Sequence, residues 1–251
     1  MVLDPAEASA RNQFLKANLD WVFGGKAQRG WHLYAPLITQ HLRFEGSLDS
    51  EDFVVALSRW QQAANLSATG TLNQETWMKM VEHWQSRRSK NRTIPVAEKL
   101  VTVSATEFYD PERPIELRQV ERETYAAYKR MVTAATHELR LATEGSRSSA
   151  LPDPYLKIIS AFRSPEYQQK LRAQSPNSGR AGLAINSPHF TGRALDLYVG
   201  GEPVSTKDAN RAIQTNTKVY RWLVKNAGKF GFIPYFYEPW HWEYNPAAAN
   251  Q

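Results

Sequence analysis

The 251-residue chain contains no cysteine. That one absence excludes a disulfide framework, a thiolate nucleophile and thiolate metal ligands together. Any zinc site must therefore be built from His, Asp or Glu. Nor does any apolar run approach the roughly 18 to 20 residues of a membrane span, so no transmembrane segment is expected. The start, MVLDPAEASARNQ, lacks the basic-then-apolar design of a signal peptide. The sequence accordingly reads as a processed mature form, a cytoplasmic protein or one exported by another route. Also missing is a run of Lys and Arg interleaved with stacking aromatics, which argues against a nucleic-acid partner. The net charge of +6 still suits salt-sensitive attraction to a polyanion, and an anionic cell-wall polymer or a membrane surface would serve.

What is present is ordinary for a globular protein, with 42% hydrophobic and 22% charged residues. Three helical patterns precede residue 90. The clearest is LDSEDFVVALSRWQQAANL, where Asp49 or Ser50 can cap and Phe53, Leu57 and Trp60 recur on one face. After the turn SATGT, Asn73 can cap NQETWMKMVEHW, which sets Trp77, Met80, Val81 and Trp84 at helical spacing. These patterns predict a small three-helix domain over 1–85. The polar, basic stretch SRRSKNRTIPVAEK reads as a linker over 86–99.

Residues 100–251 mix strands and helices. A long amphipathic helix is expected within residues 115–145, ending near Gly145, with Val120, Tyr128, Val132, Ala135 and Leu139 facing inward. YLKIISAF at 155–162 has strand character, and Ser164 with Pro165 suits the start of a helix through Leu171. RAGLAINSPHFTG reads as a loop, followed by a strand at 193–199, a helix over 208–227 and a final aromatic run, FGFIPYFYEPWHWEY. The fold class predicted is α+β: a small antiparallel sheet with flanking helices carrying a zinc site, preceded by the small helical domain.

Two constellations carry the chemistry. One is His189 with Asp196 in SPHFTGRALDL, the other Glu238 with His241 in EPWH. A catalytic zinc site needs three protein ligands and one open position, and two imidazoles with a carboxylate supply them without thiolates. His189 in a loop mouth, Asp196 on the following strand and His241 near the start of a last strand can converge on one ion. Glu238, three residues before His241, can then sit beside the metal and accept a proton from water. Gly192 can bend the chain between two ligands. In ISAFRSPEYQ, Arg163 stands where a strand gives way to a helix, placed to polarise a carbonyl or to hold a carboxylate. Gln168 lies one turn into that helix. His32, His41, His83 and His137 are expected to be structural.

These segments resemble a known family. SPHFTGRALDL is similar to the S-x-H-x(2)-G-x-A-x-D motif of the zinc D,D-peptidases of VanY and VanX type. EPWHWEY resembles their closing E-x-W-H segment, and AFRSPEYQ their Y-R-S-x-x-x-Q segment, with Phe162 replacing the frequent tyrosine. The resemblance implies zinc ligands at His189, Asp196 and His241, a general base at Glu238 and an oxyanion stabiliser at Arg163. It also places Ser187 and Gln168 near the substrate.

ALSRWQQAANLSATGTLNQETWMKM, at 56–80, resembles the three-helix peptidoglycan-binding module, with Trp60, Gln61, Gly70, Thr76 and Trp77 at matching positions. Asn65 and Asn73 stand where that module has glycines. Together the resemblances imply a zinc-dependent D-alanyl-D-alanine carboxypeptidase acting on peptidoglycan stem peptides. The partners implied are stem peptide and glycan, the location is cell wall, periplasm or extracellular space, and the state is a monomer. An L-alanyl-D-glutamate endopeptidase and a non-catalytic, zinc-stabilised wall-binding protein are the alternatives.

Overall fold

The computed structural model describes residues 4–141, 154–175 and 184–249. It divides into two compact units, Met1–Ser86 and Arg87–Gln251.

In the first unit helices α1 (Pro5–Asn18), α2 (Ala35–Leu42), α3 (Glu51–Ala63) and α4 (Gln74–Ser86) accompany an antiparallel hairpin, β1 (Asp20–Phe23) with β2 (Lys26–Arg29). The three-helix expectation is thus corrected to four helices and a hairpin among the described residues. The hairpin comes from Gly24 and Gly25, both at positive φ (59° and 79°), the pairing that a two-residue turn between twisted strands demands. Ser50 caps α3, its hydroxyl accepting from the Phe53 amide at 3.3 Å, and Asn73 caps α4 by accepting from Thr76 at 2.9 Å. Phe53, Leu57, Trp77 and Met80 are buried completely, while Trp60 is only half-buried.

The residues that match the binding-module pattern do structural work here. Gln61 is fully buried, accepts from the Gly70 amide at 2.8 Å and donates to Thr71 O at 3.0 Å and Thr76 Oγ1 at 2.8 Å. It thereby pins the 69–71 loop against α4. A Cβ on Gly70 would lie 2.4 Å from Val54 Cγ1, so only glycine fits. Asn65 has φ of 57°, the left-handed conformation that asparagine tolerates best after glycine.

The second unit is built on a four-stranded antiparallel sheet in the order β5 (Ile158–Ser160), β6 (Ala194–Leu197), β8 (His241–Tyr244), β7 (Phe232–Pro234). A separate pair joins β3 (Leu100–Thr102) to β4 (Gln119–Glu121). The long helix α5 (Arg122–Leu141) begins later than its hydrophobic period suggests. Val120 pairs with Val101 in the β3–β4 ladder, and the Glu121 carboxylate then accepts from the amide and hydroxyl of Thr124 at 3.0 and 2.8 Å. The expected end near Gly145 lies outside the described residues, as does part of the 180–192 loop.

Helix α6 (Pro165–Gln174) starts at Ser164, whose hydroxyl accepts from the Tyr167 amide. The single helix expected over 208–227 is instead two, α7 (Asp208–Asn216) and α8 (Lys218–Asn226). Thr217 breaks them: extended at ψ 148°, it uses its hydroxyl to cap α8 at Tyr220. Tyr128, Met131 and Ala135 of α5 share one core with Leu195 and Leu197 of β6, Tyr220 and Leu223 of α8, and Trp242 of β8. Burial of these side chains, worth roughly 1.5 to 3 kcal/mol for each large one, holds the sheet's inner face. The other face is left to carry polar groups.

Candidate metal centre

Strand register builds the site. Ser160 of β5 lies opposite Asp196 of β6, and Asp196 lies opposite His241 of β8. Residues directly opposite share a face, so the three stand in a row across adjacent strands while Leu195, Leu197 and Trp242 turn into the core. His189 enters from the short helical turn Pro188–Thr191, which Gly192 ends at φ 67°. A Cβ there would come within 3.0 Å of Glu121 N, so the bend between the two predicted ligands needs glycine.

His189, Asp196 and His241 are buried, and one donor atom from each falls within 4.8 Å of the others. Among the described residues this is the only such trio. Asp196 Oδ1 lies 3.3 Å from His189 Nε2 and 2.8 Å from His241 Nδ1. The opposite nitrogen of each ring is occupied. His189 Nδ1 is 2.6 Å from Ala161 O, and His241 Nε2 is 3.3 Å from Glu243 Oε1. Each ring N–H is thereby directed outward and the remaining nitrogen inward, the arrangement that fixes tautomer and orientation in histidine metal ligands. Two nitrogens and one carboxylate oxygen, opening on a cleft, fit a tetrahedral ion with one exchangeable position.

Electrostatics agree with that fit. Burial, and then the charge of Arg163, push the His189 imidazole down to about 4, so it is neutral and able to coordinate. Burial alone would lower His241 as well, but its hydrogen bonds to Asp196 and Glu243 outweigh it and raise the ring to about 9. Burial would raise Asp196, yet His189, His241 and Arg163 hold it well below the usual carboxylate range.

Arg163 lines the cleft, and its guanidinium reaches Asp196 Oδ2 at 2.6 Å while its Nε donates to Ser160 Oγ at 2.9 Å. It therefore braces the carboxylate of the trio that could hold a metal, as well as lining the cleft. Gln168, expected near the substrate, is not among the cleft-lining residues. Its side-chain oxygen accepts from Arg163 Nη1 at 3.3 Å and its nitrogen donates to Ala184 O at 2.9 Å, so it supports the arginine. Ser187 does line the cleft, with its hydroxyl accepting from the His189 amide at 3.3 Å.

Glu238 forms part of the same wall, in the turn from Tyr235 to His241 closed by Glu238 N to Tyr235 O at 3.1 Å and His241 N to Glu238 O at 2.9 Å. Burial raises its carboxyl to about 8. A bound dication nearby would draw it back toward the ionised form. The cleft, about 400 Å³, is lined further by Arg88, Arg113 and Trp240.

Sequence reasoning missed Ser160, Glu243 and Arg88. Glu243 was detectable, because it follows His241 by two residues in a strand and so shares its face.

No curated protein matches the chain. One solved structure that does is the LdcB LD-carboxypeptidase, described as revealing the molecular basis of peptidoglycan recognition. It is 26% identical over 64% of this chain and 74% of that one, with a TM-score of 0.45. The family model for VanY, D-alanyl-D-alanine carboxypeptidase, matches residues 117–247, just over half of the chain and the whole span from Arg163 to His241. The chain belongs to the VanY D-alanyl-D-alanine carboxypeptidase family.

Proposed function

We propose that the chain is a zinc-dependent D-alanyl-D-alanine carboxypeptidase that removes the terminal D-alanine from peptidoglycan stem peptides. The observation that carries this reading is the buried His189, Asp196 and His241 trio opening on a cleft whose wall includes Glu238. Zinc held by these three residues would polarise the scissile carbonyl and acidify water. Glu238 accepts the proton of the attacking water and delivers it to the leaving amine, a role that requires a carboxylate facing the cleft. Arg163 orients Asp196 through the 2.6 Å contact, and its remaining cleft-facing surface supports the developing oxyanion. Ser187 holds the turn that presents His189 and offers a polar group at the cleft edge.

Arg113 lines the cleft, its Nε donating to the backbone oxygen of Leu117 at 3.3 Å, while the charges of Arg88 and Arg163 are directed to Glu243 and Asp196. A guanidinium at that place suits a substrate that ends in a free carboxylate, which favours carboxypeptidase over endopeptidase chemistry. The first unit would hold the enzyme on peptidoglycan and raise the local concentration of stem peptide, with action in the cell wall, periplasm or extracellular space. No helix among the described residues is long and apolar enough to cross a membrane.

The test uses a synthetic peptide ending in D-Ala-D-Ala, offered with a free and with an amidated C-terminus. Release of D-alanine from the free form alone is the expected result. Equal cleavage of both, or cleavage upstream of the terminal bond, would overturn the carboxypeptidase reading.

A further inference from the structure

Family-matched residues begin at 117, yet one wall of the cleft comes from residue 88. The stretch after Ser86 is bonded along the second unit. Arg87 Nη2 donates to Ala248 O at 2.8 Å, and Asn245 Nδ2 donates to Arg87 O at 3.0 Å. Arg92 Nε donates to Asn186 O at 3.1 Å, immediately before the turn that carries His189. Residues 87–92 therefore run from the end of β8 to the start of the His189 turn.

Arg88 sits at the centre of this strap. Its Nε and Nη2 donate to Glu243 Oε1 at 2.7 and 2.5 Å, and the amide of Ser89 donates to Glu243 Oε2 at 3.2 Å. The guanidinium lies 3.9 Å from the centroid of the Tyr235 ring, which meets the His241 ring edge-on at 5.8 Å. Two of the groups that flank His241, the Glu243 carboxylate and the Tyr235 ring, are thus held by one arginine. The Glu243 side chain is 3% exposed and that of Arg88 18%. A carboxylate so buried needs a partner to stay ionised and in place.

We propose that Arg88 is a positioning residue of the metal centre. By clamping Glu243 it makes that carboxylate the fixed acceptor for the His241 Nε2 proton and leaves Nδ1 facing Asp196, where a metal would be held. The inference rests on the zinc reading above and deepens it, since it assigns part of the active site to a segment that precedes the matched family region. Partners of a ligating histidine typically contribute about 10- to 100-fold in metal affinity.

The test measures zinc affinity by chelator competition in the full-length protein, together with kcat, KM and the imidazole N–H proton resonances. Arg88→Ala should weaken zinc binding about 10- to 100-fold, lower kcat more than KM and shift or lose the His241 Nε2 proton signal. Arg88→Lys should restore part of the affinity, because an ammonium supplies the charge without the planar fork. Glu243→Gln, which keeps an acceptor oxygen and removes the charge, should weaken zinc less than Glu243→Ala. A folded Arg88→Ala protein with native zinc affinity and an unchanged proton signal overturns the clamp. A change in KM alone also overturns it and makes Arg88 a substrate contact. Absence of zinc binding by the native protein would overturn the functional reading first, and the clamp with it.

Discussion

The chain brings two pairs of histidines together, and one of them belongs to a group that could hold a metal. In the first unit the His41 and His83 rings are 4.6 Å apart at 58°, with the rings of Trp60 and Trp84 at 5.2 and 5.8 Å from His41. In the second unit His189 and His241 are 5.0 Å apart at 73°. Ring proximity is nearly the same. What differs is the carboxylate, since the second pair brackets Asp196. Among the described residues no carboxylate completes a trio with His41 and His83. A group that could hold a metal thus depends on the carboxylate, and histidine pairing alone does not supply one.

The sharpest way to break this contrast is Asp196→Ala. It should abolish zinc binding and activity together and leave Arg163 buried beside no carboxylate, which destabilises by about 3 to 5 kcal/mol. Metal analysis and denaturant unfolding would measure both. Next in size is Glu238→Gln, expected to keep zinc at native stoichiometry while reducing kcat by roughly 10² to 10⁴. Loss of metal in that variant would make Glu238 a ligand.

An intermediate effect concerns pH in the metal-free protein. The folded-state value of His241 is raised from 6.5 to about 9 and that of Glu238 from 4.5 to about 8. Both groups bind protons more tightly folded than unfolded, so above pH 6.5 each loses stabilising protonation as pH rises. His189, lowered to about 4, works in the opposite direction only below 6.5. The melting temperature of the metal-free protein should therefore fall between pH 6.5 and 9, and saturating zinc should lessen that fall by replacing the His241 proton and favouring the ionised form of Glu238. Calorimetry with and without zinc would check it, and a slope unaffected by zinc would place the titrating groups elsewhere. The smallest effect is expected for His41→Ala combined with His83→Ala, which should leave zinc stoichiometry and kcat unchanged.

Local patterns made much of the second unit legible. Ser164 before Pro165 announces a helix, the apolar alternation around Asp196 announces a strand with one polar face, and Gly192 announces the bend between them. The convergence of His189, Asp196 and His241 depended on strand register, which the sequence does not display, but the motif spacing pointed to it. The break at Thr217 was hidden because the apolar period continues through it, and the competing hydroxyl cap decides the outcome. The signal for the hairpin at 20–29 lies in Gly24 and Gly25 alone, without a long apolar alternation on either side. Arg88 had no signal at all, since its partner Glu243 lies 155 positions away and nothing local to RRSKNR reports such a contact. Basic composition read it as linker, whereas geometry ties it to the centre.

Mass spectrometry of muropeptides digested by the full-length protein, with and without a chelator, tests the central claim most directly. Stems ending in D-Ala-D-Ala should lose a single alanine, chelation should stop the loss and added zinc should restore it. Cleavage within the stem, or loss of alanine that persists after complete chelation, would contradict it.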